Sequence, residues 1–232
     1  MDIGRFARRM SNQPIPFGAQ VLFILGAHAL LTSLAARGLT VTKFLAAARE
    51  AEAVYERIDQ AVLAIVLGLT ILFWVLGRRP AFRRMVLVYL VGVTITLFSA
   101  CFELVSTLAA RGTAAGGAFG LLGDALLTWT TNVLTFTVWY WFLDQGGPDR
   151  RHSSDPGPPD FAFPQQTNTL PGWESWTPGL LDYLFLAFNT STAFSPTDTS
   201  VLSTSAKALC MVQATISLVI IAILAARVVN MI

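Results

Sequence analysis

Residues 176–199 read WTPGLLDYLFLAFNTSTAFSPTDT, and this stretch decides the fold. Its apolar part begins after Pro178 and Gly179 and carries Asp182 in its first turn, which is the pattern of a helix N-terminus. We therefore predict a helix of about three turns over 179–190. A helix of that length cannot cross a bilayer, whose hydrocarbon core needs about 20 apolar residues.

The residues after this short helix predict a chain that turns back. Hydroxyl side chains, a proline and an aspartate dominate 191–199, and a long apolar helix is predicted over 206–231. Backbone outside a helix is tolerated at membrane depth only where it lines water or is buried in protein. A short helix, an extended polar strand and a full-length helix together predict a re-entrant hairpin.

The rest of the chain has the composition of an integral membrane protein. Hydrophobic residues make up 54% and charged residues 13%, whereas soluble domains carry about a quarter charged residues. This excludes a soluble enzyme, a disordered chain and a disulfide-stapled module, and a net charge of +2 gives no support for nucleic-acid binding. Five apolar stretches are predicted to span the membrane: 17–36, 61–76, 85–109, 119–142 and 209–229.

These stretches predict an all-α membrane protein of about five transmembrane helices, with the re-entrant segment before the last one. An N-terminal tail covers 1–16, a three-helix region covers 17–110, and a C-terminal module covers 117–232. The first stretch follows three arginines, as signal peptides do, but its length favours a retained helix. We divide the C-terminal module into an outer helix 119–142, a polar loop 145–178, a short helix 179–190, a strand 191–199 and an inner helix 206–231.

The C-terminal module resembles the pore module of potassium-type tetrameric cation channels, in which outer helix, pore helix, filter and inner helix follow in this order. The resemblance implies a homotetramer in the plasma membrane that passes monovalent cations. On that pattern Thr192 precedes the filter and Asp198 closes it. The residues implied to form the pore and its filter are Thr190, Ser191, Thr192, Ala193, Phe194, Ser195, Pro196, Thr197 and Asp198.

This filter departs from the potassium pattern. Ser195 and Thr197 stand where glycines belong, and Pro196 stands where a tyrosine belongs. Because potassium filters need glycines in left-handed backbone conformations, we expect an altered selectivity. The chain also resembles a family of bacterial membrane proteins without an assigned activity, which share the strings 139–141, 160–165 and 193–198 and the glycine-free filter.

Polar residues inside the predicted helices are further candidates. Glu103, Asp124, Gln213 and Ser217 are possible pathway residues, because ionisable groups in a membrane are functional candidates by default. A cation or proton relay that includes His28 is one interpretation, and simple hydrogen bonding between helices is the other. A transporter or accessory subunit that uses these carboxylates, with a non-conducting loop, is therefore the alternative to a channel.

The sequence leaves the orientation of the chain in the membrane open. Counting positive charges places the arginines of 78–84 and the polar loop 145–178 in the cytoplasm. In potassium channels, however, the pore loop opens to the outside. The sequence carries no motif of an enzyme, a metal site or a cofactor site, and we expect neither catalysis nor a bound cofactor.

Overall fold

The computed structural model describes residues 46–111, 118–151, 153–167, 171–172, 176–192 and 198–229. The described chain is mostly helical. Four long helices are α1 (Ala46–Val75), α2 (Arg79–Arg111), α3 (Ala118–Leu143) and α7 (Thr204–Val229). Between α3 and α7 lie α4 (Pro148–Arg151), β1 (Phe161–Ala162), α5 (Pro164–Thr167), α6 (Leu180–Thr192) and β2 (Ser200–Val201).

Two of these helices are long and apolar enough to cross a membrane. They are α2 over Arg79–Ser106 and α7 over Thr204–Ala226, judged by length and composition. The apolar part of α1, Ala61–Val75, is shorter. The predicted first span, 17–36, lies outside the described residues.

Helix α3 lies at the centre of the helix packing. It contacts α2, α6 and α7, and α2 in turn packs against α1. Every residue from Thr131 to Phe142 is buried or half-buried, so this part of α3 has no solvent face. A hydrogen bond between side chains joins α3 to α2: Trp139 Nε1 donates to Thr94 Oγ1 at 3.1 Å.

Helix α2 buries a stripe and exposes its other side. The buried positions recur every three or four residues, as the 3.6-residue helical period requires, and include Phe82, Val86, Leu90 and Val93. Cys101, one of the two cysteines, belongs to the same stripe and is a free thiol. Apolar side chains also cover the exposed side.

Helices α1 and α2 extend beyond the spans 61–76 and 85–109 predicted for them. Residues 46–60 are helical and continue without interruption into the second apolar stretch as α1. The arginines of 78–84 belong largely to α2, which begins at Arg79. Residues 76–78 join the two helices, with Gly77 at φ +65°, a conformation that glycine adopts without strain.

The polar loop predicted at 145–178 is partly ordered by short elements. Strand β1 pairs with β2 in antiparallel register, Phe161 opposite Val201 and Ala162 opposite Ser200. A further backbone bond joins Leu202 N to Asp160 O at 2.9 Å. These contacts hold the residues before α7 against the loop that follows α3. The end of α3 and the start of α7 therefore lie at the same end of the molecule.

Candidate functional site

Helix α6 lies against both α3 and α7, and its own sequence determines which face it buries. Tyr183, Leu186, Ala187 and Ser191 are buried, at the spacing of one helical face. The other side exposes Leu181, Phe185 and Phe188. The helix begins where Asp182 Oδ2 accepts a hydrogen bond from Gly179 N at 2.7 Å, which satisfies an otherwise free N–H at the helix start.

Gln213 of α7 is fully buried and holds the C-terminal half of α6. Its Nε2 donates to Ala187 O at 2.8 Å and to Ser191 Oγ at 2.7 Å. Its Oε1 accepts a short hydrogen bond from the hydroxyl of Tyr140 on α3. One amide therefore joins three helices behind the end of α6.

The network continues along α7 through Ser217. Asn132 Nδ2 of α3 donates to Ser217 Oγ at 2.7 Å and to Gln213 O at 3.4 Å. Asn132 and Gln213 have no exposed surface, and Ser217 has 1%. Gln213 and Ser217, predicted as possible pathway residues, are thus used in hydrogen bonds between helices.

A second buried cluster fixes the polar loop to the start of α6. Asp144 Oδ2 accepts a hydrogen bond from Tyr183 OH at 2.5 Å, and its Oδ1 accepts one from Asp160 N at 2.8 Å. Arg151 Nε lies 3.8 Å from the same Oδ2, and neither charged side chain has more than 1% exposure. The Arg151 guanidinium also lies over the Tyr183 ring, 5.0 Å from its centre.

The chemistry of this second cluster follows from burial. Burial raises the pKa of Tyr183, the Arg151 guanidinium opposes this and the Asp144 carboxylate adds to it, so the phenol stays protonated and donates to the carboxylate. Arg151 Nη2 donates to the carbonyl of Trp141 at 2.8 Å. The Phe161 ring packs against the Tyr183 ring, with the ring centres 6.3 Å apart. The negative charge of Asp144 is thus balanced inside the protein by the positive charge of Arg151.

The predicted filter is only partly within the described residues. Thr190 and Thr192 are half-buried, and their hydroxyls donate to Leu186 O at 2.8 Å and Asn189 O at 3.1 Å. Ser191 and Thr192, predicted to begin the strand, belong instead to α6. Asp198 is exposed, and Ala193, Phe194, Ser195, Pro196 and Thr197 lie outside the described residues.

The predicted carboxylates lie on neighbouring helices. Asp124 of α3 has 4% exposure, and its Oδ2 has no hydrogen-bond partner among the described residues. The hydroxyl of Thr128 donates to Asp124 O at 2.7 Å, a bond within the helix. Glu103 is half-buried on α2. His28 lies outside the described residues, so a relay among the three is not formed by the part of the chain that is described.

Sequence reasoning missed four residues that the structure brings together: Asn132, Tyr140, Asp144 and Arg151. Asn132 and Tyr140 are eight residues apart on α3, and the spacing that places both on one face was a usable signal. Asp144 and Arg151 follow a membrane-length helix and carried no sign of burial. Comparison with protein-family models, with curated proteins and with solved structures finds no match for this chain.

Proposed function

We propose that the chain is a multi-pass plasma-membrane protein that passes monovalent cations through an oligomeric pore containing α6. The observation that carries the proposal is the placement of α6. The helix has 13 residues, about 20 Å at 1.5 Å per residue, whereas a bilayer core is about 30 Å thick. The chain before α6 and the chain after it meet at one end of the molecule, where β1 pairs with β2.

Membrane insertion is supported by what the long helices expose. Phe102 is 76% exposed on α2, and Met211 and Leu218 are each 65% exposed on α7. Large apolar side chains on the outside of two membrane-length helices are suited to lipid tails. We extend the membrane region to five spans with the segments 17–36 and 61–76 and the central helix α3.

Conduction is supported by the polar end of α6. A helix C-terminus carries a partial negative charge, which favours a nearby cation. Thr190 and Thr192 supply hydroxyls at this end, and the exposed Asp198 carboxylate follows the residues of the implied filter. The hydrogen bonds of Gln213 hold the C-terminal end of α6 in a fixed position, and a narrow ion path needs such rigid walls.

One copy of this arrangement lines only one side of a path. In the resembling channels four copies complete the pore, and we propose the same number here. The exposed apolar side of α6, with Leu181 and Phe185, is then covered by neighbouring copies. We place the opening of the path on the side of the arginines at the start of α2, because Asp198 lies two residues before β2 and Arg83 bonds Gly146 in the loop that carries β1.

The test is cation uptake into liposomes that contain the purified protein. We expect potassium or sodium uptake that falls in the Asp198→Asn variant and is unchanged in Asp155→Asn, an exposed aspartate of the polar loop. Absence of uptake under every gradient would favour a non-conducting structural protein and contradict the proposal.

The alternative is a transporter or accessory subunit that uses Asp124 and Glu103. The specific observation in its favour is the buried Asp124 oxygen that lacks a hydrogen-bond partner among the described residues. Such groups in a membrane mark ion or proton paths. Uptake abolished by Asp124→Asn but unaffected by Asp198→Asn, from a monomeric protein, would select this alternative.

A further inference from the structure

Asp124 is a buried carboxylate near the start of α3. Its side chain has 4% exposure, and Oδ2 accepts no hydrogen bond within the described part of the chain. Thr128, one turn later, donates its hydroxyl to the backbone carbonyl of Asp124 at 2.7 Å and not to the carboxylate. An ionised carboxylate buried without a partner is far more costly than a neutral group. The carboxylate therefore needs a ligand.

A second buried acceptor on α3 shows what kind of ligand is missing. Asn132 Oδ1 lies two turns after Asp124 on the same side of the helix, and it too lacks a hydrogen-bond partner among the described residues. The other atom of this amide, Nδ2, donates to Ser217 Oγ at 2.7 Å. Both atoms without partners are acceptors. A ligand here must donate hydrogen or carry positive charge, which excludes an anion.

Helix α7 faces the start of α3 with apolar side chains. Tyr140 bonds Gln213, and Asn132, two turns earlier on α3, bonds a residue one turn later on α7, so the two helices are antiparallel. Towards the start of α3, the next buried residues of α7 are Ile220 and Ile223. These side chains offer no oxygen to a cation bound at this depth.

Surroundings with so few oxygens favour a proton over a metal cation. Between Gly120 and Thr128 the Thr128 hydroxyl is the one side-chain oxygen besides those of Asp124. Calcium and magnesium take about six oxygen ligands or more. A proton needs no ligand besides the carboxylate, and it removes the buried charge.

We infer that Asp124 is a proton-binding site, whose carboxyl group carries a proton in the folded protein at neutral pH. The site is separate from the polar loop, because Asp124 lies about 28 Å along the helix from Leu143, the last residue of α3. Buried carboxyl groups of this kind bind and release protons in membrane proteins. The inference rests on the membrane insertion proposed above and not on conduction along α6. For the transporter alternative, it names the proton as the ion that is carried.

The experiment is labelling of purified full-length protein in liposomes at neutral pH with dicyclohexylcarbodiimide, an apolar reagent. The O–H of a protonated carboxyl group adds across a C=N bond of this reagent, and the adduct stays on the peptide as an acylurea. An aspartate in water is about a thousandfold more often ionised than protonated at neutral pH. We therefore expect mass spectrometry to find at least about tenfold more adduct on Asp124 than on the exposed Asp155 and Asp198.

Two substitutions locate the reaction. Asp124→Asn should abolish the adduct and leave the protein folded, because it replaces one neutral group with another of the same shape. Glu103→Gln, which removes the one carboxylate of α2, should leave the adduct on Asp124 unchanged.

Two results would overturn the inference. One is labelling of Asp124 no stronger than that of Asp155. The other is labelling that appears only after Arg111→Gln or Arg227→Gln, because an ion pair with either arginine would keep Asp124 charged; these two side chains lie outside the described part of the structure.

The same liposomes separate this inference from the conducting path. Protein that is labelled at Asp124 but takes up no cations would contradict conduction and support the inference. Protein that takes up cations but carries no label at Asp124 would overturn the inference alone.

Discussion

Replacing Gln213 with methionine removes the side chain that joins α7 to α3 and α6 and keeps most of its volume. Gln213→Met deletes the bonds from Nε2 to Ala187 O and Ser191 Oγ and the bond that Oε1 accepts from Tyr140. The Ala187 carbonyl and the Tyr140 hydroxyl then remain buried with fewer partners. We expect α6 to lose its fixed position and the protein to lose stability.

The magnitude follows from the three bonds. A net contribution of about 1 kcal/mol for each bond gives about 3 kcal/mol, and the smaller average of about 0.6 kcal/mol measured between membrane helices gives about 2 kcal/mol. Ser191→Ala removes one of the three partners. The two substitutions share a bond, so we expect their combined effect to be smaller than the sum by about 0.5–1 kcal/mol.

The assay is unfolding of the purified protein by a denaturing detergent in mixed micelles, followed by tryptophan fluorescence. Thr215→Val is the matched control, because Thr215 is exposed on α7 and its hydroxyl donates to Met211 O of its own helix. That control should change the free energy of unfolding by less than about 0.5 kcal/mol. A Gln213→Met protein as stable as the control, or strict additivity with Ser191→Ala, would refute this reasoning.

Three further predictions concern the loop and the start of α6. Asp144→Asn leaves the buried Arg151 without its counter-charge and should lower the free energy of unfolding by about 3–5 kcal/mol. The control Asp155→Asn, at an exposed site, should lower it by less than about 0.5 kcal/mol. Equal effects of the two substitutions would contradict the buried ion pair. Gly157→Ala places a Cβ 2.8 Å from Gln145 O and should lower the free energy of unfolding by about 1–3 kcal/mol. The melting temperature should fall accordingly, and an unchanged melting temperature would contradict this close approach. Burial raises the pKa of Asp182 above its ordinary value, so the folded protein holds the carboxyl proton more tightly than the unfolded chain does. The stability that this protonated carboxyl contributes is therefore complete at a pH below the ordinary pKa and is lost as pH rises through the pKa of the folded state. Asp182→Asn should accordingly reduce the loss of stability between acid and neutral pH, and an unchanged pH profile would contradict it.

Helix α6 shows which features of the fold could be predicted from the sequence. Its start was predicted one residue before the observed Leu180, because Pro178, Gly179 and Asp182 act locally. Its end was predicted two residues too early. The hydroxyls of Thr190 and Thr192 suggested a strand, but they bond carbonyls of the preceding turn and let the helix continue.

The partners of the buried polar groups could not be predicted in the same way. Gln213 and Ser217, one turn apart, were expected to pair with a neighbouring helix or to line a path. That Asn132 is their partner depends on how α3 and α7 pack, which involves residues more than 80 positions apart. Arg151 carried even less signal, because a charge in a polar loop is ordinarily exposed and here it is buried by the tertiary contacts of Asp144 and Tyr183.

The central proposal is a cation-selective path at the end of α6, and the reversal potential of the purified protein in a planar bilayer tests it most directly. A tenfold gradient of potassium chloride gives about 59 mV for an ideally selective monovalent cation path. We predict a reversal potential close to that value with the sign of cation flow, reduced by Asp198→Asn and unchanged by Asp155→Asn. A reversal potential near zero or of the opposite sign, or no current beyond that of the protein-free bilayer, would contradict the proposal.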